Sequence, residues 1–170
     1  MNVFEAIHKR YSVRSYADRS VEPEKLARIL EAARLAPSAG NRQEWRFVVV
    51  TEPQMRKQMM AAASNQAFVG EAPIVLAACA ETDEHPMRCG QLCYPIDVAI
   101  ALEHIALQAV EEGLGTCWIG AFNEDEVRRI LNIPADVRIV ELMPLGYPTT
   151  KAPAKRRLKL EEIVMWEKWE

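Results

Sequence analysis

A three-layer α/β domain is the fold class this 170-residue sequence predicts, and two observations carry the prediction. Apolar runs of strand length, such as Trp45 to Val50, Ile74 to Ala80 and Val137 to Met143, alternate with segments whose apolar residues recur at helical spacing. Hydrophobic content of 49% beside 26% charged residues supplies enough apolar surface for a core, so a single domain over residues 1–170 is expected. Strand order and direction cannot be read from such a pattern.

Asn2 and Glu5 have the spacing of a capping box, opening a short helix with Val3, Phe4 and Ile7 as its apolar contacts. The stretch from Arg10 to Tyr16 follows. In an extended backbone, Arg10, Ser12 and Arg14 share one side while Tyr11, Val13 and Ser15 take the other. Guanidinium groups present planar paired donors to phosphate oxygens, and a hydroxyl adds a hydrogen bond without charge. That face therefore suits a phosphate monoester. Solvated arginines at a helix end are the bland alternative, and the motif alone does not separate the two.

Pro23 fits the first position of a helix in which Leu26, Ile29, Leu30 and Ala33 form the apolar stripe, and Pro37 disfavours helix at Ala36. The short polar residues from Pro37 to Glu44 read as a loop leading into the Trp45–Val50 strand. Met55 to Ala63 reads as a helix, Ile74 to Ala80 as an interior strand, and Glu81 to about Tyr94 as an acidic loop. Pro95 opens the longest helical pattern, apolar around much of its circumference from Ile96 to Val110, which implies burial on more than one side and hints at a partner subunit. Gly113 suits its C′ position.

Thr116 to Gly120 reads as a short strand, Asn123 and Glu126 as another capping pair before a helix with Val127, Ile130 and Leu131, and Val137 to Met143 as a strand. Pro144, Gly146 and Pro148 are expected to break regular structure there. In the tail, Leu160, Ile163, Val164 and Trp166 return to helical spacing, so residues 158–170 are expected to form a C-terminal arm.

A net charge of −3 argues against non-specific nucleic-acid binding, which needs a broad positive surface. Positive charge is nonetheless concentrated at Lys151, Lys155, Arg156, Arg157 and Lys159. The N-terminal residues lack the apolar run of a secretory signal, and no stretch is read as the roughly 18 apolar residues of a membrane span, so a cytoplasmic protein with free thiols is expected. His85, Cys89 and Cys93, with Cys79 upstream, offer soft metal ligands. A Cys-x3-Cys pair with one histidine is not a firm zinc spacing, however, and no metal is expected. Gly113-x-Gly115 lacks the third glycine of a dinucleotide fingerprint and reads as helix termination. Cys117 and His104 read as core and packing residues, and His8 as a neighbour of the phosphate face.

Four motifs occur in a telling order: Arg10-x-Ser12-x-Arg14; Pro37-Ser38-Ala39-Gly40-Asn41-x-Gln43-x-Trp45-x-Phe47; Gly113-Leu114-Gly115-Thr116-Cys117-Trp118-Ile119-Gly120; and Pro144-Leu145-Gly146-Tyr147-Pro148. In that order and spacing the chain resembles the FMN-dependent nitroreductase family from residue 10 to residue 157. The resemblance implies an α+β fold, a three-layer α/β/α sandwich with a central mixed sheet. It also implies an intertwined homodimer with FMN at the subunit boundary. Arg10, Tyr11, Ser12 and Arg14 fall where the family grips the FMN phosphate and ribityl chain, and Lys155 and Arg157 match the basic pair that completes that grip. Pro37, Ser38, Ala39 and Asn41 match the loop laid over the flavin by the partner subunit. Trp118, Ile119, Gly120 and Ala121 match the segment along the isoalloxazine ring, where small residues permit close backbone approach.

The chain departs from the pattern at Glu44, often proline in the family, and at Gly120, near which the family often carries an acid. Asn65 or Gln66 is expected at the ring's polar edge, and Trp166 and Trp169 on the arm against the partner rather than as a nucleic-acid platform. The activity implied is transfer of a hydride from NADH or NADPH to FMN, then of electrons to a nitroaromatic, a quinone or a similar flat electron-poor acceptor. Ping-pong kinetics and no protein acid, base or nucleophile are expected. The alternatives are a non-catalytic flavin or nucleotide binder and a relative with dehalogenating or flavin-modifying activity.

Overall fold

The computed structural model describes residues 1–169. Its elements run α1 (Val3–Lys9), α2 (Pro23–Arg34), a 3-10 turn (Ala39–Asn41), β1 (Trp45–Val50), α3 (Pro53–Ala62), α4 (Ala67–Glu71), β2 (Ile74–Glu81), α5 (Cys93–Glu111), β3 (Gly115–Thr116), α6 (Glu124–Leu131), β4 (Val137–Gly146) and α7 (Leu160–Ile163). The strands form a four-stranded sheet in the order β1-β2-β4-β3. All three strand pairs are antiparallel, and a bridge between Ser12 and Thr116 at the β3 edge runs parallel. The α+β class stands, while the mixed character expected of the sheet is confined to that bridge.

β2 explains the layering. Every residue from Ile74 to Ala80 is buried, so its alternating side chains must be covered on both faces. Ile74, Leu76, Ala78 and Ala80 pack with Ile29 and Ala33 of α2 and Val98, Leu102 and Ile105 of α5. Val75, Ala77 and Cys79 pack the other way, against Met59 and Ala62 of α3, Val69 of α4 and Val127 of α6. The result is helices on both faces of the sheet.

α5 starts two residues before Pro95, because a missing N–H costs nothing in a first turn whose amides have no intrahelical acceptor. This moves Cys93 out of the acidic loop and into a buried helical turn. Contrary to the expectation from sequence, the helix is long and apolar enough to cross a membrane, with half of its most apolar window buried within the fold. Nine of its residues, from Cys93 to Ala109, are buried. Gly113 follows it with a φ of +75°, the left-handed conformation expected at C′.

β4 continues through Pro144 to Gly146, correcting the expected break. The Pro144 carbonyl accepts from the Cys117 N–H at 3.4 Å and the Tyr16 hydroxyl at 3.3 Å, which holds this end of the strand in place. At the other edge, the expected Thr116–Gly120 strand shortens to β3 plus a separate bridge between Ile119 and Leu142. The tail helix shortens to Leu160–Ile163, and Leu160, Ile163, Trp166 and Trp169 are exposed. Glu170, the last residue of the expected arm, lies outside the described residues.

Candidate functional site

A cavity of about 390 Å3 lies between the two ends of the polypeptide, lined by Arg10, Tyr11, Ser12 and Arg14 on one side and residues 153–157 on the other. Its first wall is fixed by the fold. Val13, fully buried, donates its N–H to the Thr116 carbonyl at 2.9 Å. Gly115 accommodates it closely, since a Cβ there would stand 2.3 Å from Val13 Cγ2. The buried Tyr16 hydroxyl donates to the Val13 carbonyl at 2.9 Å, and burial raises its pKa far above the tyrosine range. With Val13 and Tyr16 pointing inward, Arg10, Ser12 and Arg14 are left to line the cavity.

The second wall comes from the tail. The Tyr11 hydroxyl donates to the Thr150 carbonyl, and the Ser15 and Thr149 hydroxyls are 2.6 Å apart. The chain then turns so that Lys155 Nζ donates to the carbonyls of Ile7 and His8 at 2.9 and 2.5 Å, using the unpaired end of α1. His8 thus adjoins the basic face through its carbonyl, while its ring meets Phe4 edge-on at 5.2 Å.

Charge in this cavity is poorly compensated. Arg10 faces Glu103 at 3.7 Å, and burial lifts the Glu103 carboxyl above its ordinary value against the pull of Arg10. Arg14 lies 6.0 Å from the Phe68 ring centre, and Arg157 donates to the Arg156 carbonyl at 2.8 Å. Burial first, then the neighbouring Arg10 and Arg157 charges, pull the Lys155 ammonium below its usual pKa. A cation made less stable by other cations is the signature of a place that an anion would complete.

The remaining predicted residues lie elsewhere in the chain. Ser38 accepts the Gln43 N–H at 3.0 Å, and the Ala39 N–H reaches both carboxylate oxygens of Asp97 at 3.1 and 3.2 Å. Gly40, Asn41 and Gln43 have φ values of +55°, +56° and +52°, so the loop after Pro37 is bent through left-handed conformations that only the glycine adopts freely. Arg42 secures it, bridging buried Glu44 at 2.9 Å and Asp83 of the acidic loop at 2.5 Å. The loop does not line the basic cavity.

Trp118 is half-buried, Ile119 is buried in its bridge to Leu142, and Gly120 and Ala121 are exposed. The Ala121 carbonyl accepts from Ser64 Oγ at 3.3 Å and Gln66 Nε2 at 3.5 Å, and Gln66 also donates to Ala63 at 3.0 Å. Gln66 is therefore committed to tethering this segment. Asn65 is exposed with a φ of +56°.

Asp97, which fastens the Ser38 loop, was not singled out from sequence, although an acid within the apolar run from Ile96 to Leu102 is a signal that could have found it. Cys79, Cys93 and Cys117 are buried and Cys89 is exposed, and among the described residues no cluster of three cysteine, histidine or acidic side chains could hold a metal. His104 Nδ1 lies 3.1 Å from the Ala32 carbonyl, as a packing histidine should.

Comparison with known proteins places this geometry in context. The profile of the Nitroreductase family matches residues 7–68 and 58–147. A protein named NADH dehydrogenase from Thermus thermophilus is 33% identical, with 93% of this chain and 92% of that one covered. FMN reductase [NAD(P)H] from Bacillus subtilis is 29% identical over 95% of this chain and 72% of its own. The crystal structure of a nitroreductase family protein from Clostridium difficile is 35% identical, covers 99% of this chain and 100% of its own, and superposes with a TM-score of 0.87.

Proposed function

This chain belongs to the nitroreductase family, and from that premise we propose that it is an FMN-dependent NAD(P)H oxidoreductase whose cofactor phosphate occupies the basic cavity. The observation that carries the reading is the convergence of Arg10, Arg14, Lys155 and Arg157 from opposite ends of the chain on one cavity, where burial first and then the Arg10 and Arg157 charges disfavour the Lys155 ammonium. A phosphate monoester of about two negative charges would relieve that repulsion and accept charge-assisted hydrogen bonds from the guanidinium groups and from Ser12. The residues fit the group.

Bound FMN would supply hydride acceptance from NADH or NADPH and onward electron transfer. The protein's part is positional. Arg10, Tyr11, Ser12, Arg14, Lys155 and Arg157 hold the phosphate end. Trp118, Ile119, Gly120 and Ala121 would lie along the ring, for which the small exposed pair Gly120 and Ala121 leaves room for close approach. Pro37, Ser38, Ala39 and Asn41 would cover the ring of a partner subunit, the loop being held in shape by Asp97 and Arg42. No side chain acts as nucleophile, acid or base. The nicotinamide and a flat, electron-poor acceptor such as a nitroaromatic or quinone would use the bound cofactor in turn, which would give ping-pong kinetics.

The homodimer is part of this reading. Val3, Phe4 and Ile7 of α1, Ile96 of α5, and Leu160, Ile163, Trp166 and Trp169 of the tail are exposed in the single chain. Apolar side chains in that number indicate a surface that a second copy covers, with residues 158–169 as the arm that wraps it. Four free thiols accord with a cytoplasmic setting.

The test begins with the purified protein. It should be yellow, release FMN on denaturation, and lose its absorbance near about 450 nm with NADH or NADPH until an acceptor restores it. A colourless protein that cannot be loaded with FMN overturns the reading, and a yellow one inert to both nicotinamides makes it a binding module.

A further inference from the structure

Glu141 is a carboxylate in the middle of an apolar strand, and the geometry around it is specific. A β-bulge in β4 lets Ala78 pair with Glu141 and Cys79 with Ile139, leaving Val140 as the extra residue. The consequence is visible in the packing, since Ile139 and Leu142 fall on one face although they are three positions apart. Bulges re-aim side chains in this way. Beyond the insertion the register is continuous, so Glu141 shares the parity of Met143 and Leu145, which pack on the α5 side of the sheet.

From that position the carboxylate reaches Gly120. A Cβ on Gly120 would lie 3.7 and 3.8 Å from the two Glu141 carboxylate oxygens, so the carboxylate fills the space beside an exposed glycine. The side chain is half-buried, and burial lifts its pKa. The neighbouring titratable group is the Cys117 thiol, whose pKa is raised by burial and in part by Glu141. Among the described residues no hydrogen bond or ion pair engages this half-buried carboxylate, which leaves its charge to act on whatever occupies the space beside Gly120. Its presence beside the segment assigned to the flavin ring calls for a function.

We propose that Glu141 is the side chain that sets the reduction potential of the bound flavin, by holding a fixed negative charge where the ring passes Gly120. The inference rests on the placement of Trp118 to Ala121 along the ring. Reduction transfers a hydride, two electrons and one proton, from the nicotinamide, which leaves as NAD(P)+. The flavin ring gains one negative charge, and a neighbouring carboxylate disfavours that form. Glu141 thereby makes the reduced cofactor a stronger donor to the acceptor, without touching the phosphate grip.

The experiment measures the two-electron midpoint potential of the FMN-loaded protein at pH 8 against a reference dye, in wild type, Glu141→Gln and Glu141→Leu. Both neutral variants should retain FMN and shift the reduction equilibrium about tenfold toward the reduced form, about 30 mV more positive. Glu141→Leu guards against misfolding of the amide variant, because it fills the same space without an unpaired polar group. Potentials equal to wild type in variants that retain FMN overturn the proposal and leave the flavin reading standing. Loss of FMN from both variants but not from wild type also overturns it, since a group acting through charge on the ring is not needed for binding. Failure of the wild type to bind FMN removes the flavin reading itself.

Discussion

The segments Arg10 to Tyr16 and Pro153 to Arg157 meet at one cavity, the first lining it with Arg10, Tyr11, Ser12 and Arg14, yet they are held in opposite ways. In the first segment Val13 and Tyr16 are buried and fastened to the β3–β4 edge, whereas in the second all but Lys155 are exposed and none belongs to a helix or strand. One wall is part of the sheet's framework. The other is a tail clipped at Thr149 and Thr150 and again where Lys155 meets the end of α1. A site divided in this way can separate ligand affinity from stability, because substitutions on the tail remove charge while those behind the framework wall disturb packing.

The largest effect is expected from the tail. Lys155→Ala with Arg157→Ala deletes two charge-assisted contacts, each on the order of 1.5–3 kcal/mol, so FMN should bind about 100-fold more weakly or worse. Thermal unfolding of the flavin-free protein should change little by comparison. A double variant that keeps its FMN affinity in fluorescence titration would show that the framework wall suffices.

Gly115→Ala tests the other wall. A Cβ 2.3 Å from Val13 Cγ2 cannot be accommodated without moving Val13 or β3, and overpacking of this kind costs about 1–3 kcal/mol. The Tm of the flavin-free protein should fall by roughly 2–4 °C for each kcal/mol, with weaker FMN binding as a consequence. An unchanged Tm would mean that Val13 is less firmly seated than its burial implies.

Arg14→Ala should act at the same wall without disturbing it. The side chain is exposed, so stability should stay within about 0.5 kcal/mol, while loss of one phosphate contact should weaken FMN about tenfold. Equal affinity would remove Arg14 from the site and leave Arg10 and Ser12 as its N-terminal part.

These contrasts also explain what could be read from the sequence. β1 falls at its expected bounds, and β2 extends one residue beyond them, because unbroken apolar runs flanked by proline or polar loops leave few other solutions. α4 escaped notice because five residues are too few to show a helical period, and the tail helix shrank because, within one chain, its apolar side chains have nothing to pack on. The phosphate-suited face of Arg10, Ser12 and Arg14 could be read from residue type, whereas its meeting with Lys155 and Arg157 was implied only by the family resemblance. The supporting carboxylates were legible in neither way. Asp97, Glu44 and Glu141 acquire their roles from a loop amide, an arginine across a turn and a bulge, none of which has a local sequence pattern.

The smallest expected effect lies where framework becomes tail. The Tyr147 hydroxyl donates to Glu22 at 2.5 Å and accepts from Lys25 Nζ at 3.0 Å, while the Arg19 guanidinium stacks 3.9 Å from the Tyr147 ring centre and its Nη2 donates to Glu22 at 2.6 Å. Hydrogen bonds from Tyr147 first, then from the backbone and Arg19, lower the Glu22 pKa from 4.5 to about 2. A carboxyl depressed in the folded state contributes fully above its unfolded pKa, and that contribution is lost as pH falls from 4.5 toward 2. Glu22→Gln should therefore flatten the acid limb of stability in that window while leaving FMN affinity at pH 7 unchanged, because Glu22 belongs to the junction and not to the cavity. Urea midpoints measured from pH 5 to pH 2.5 would show wild type losing more stability than the variant. Parallel curves would mean that the Tyr147 contact does not fasten the point where the tail departs.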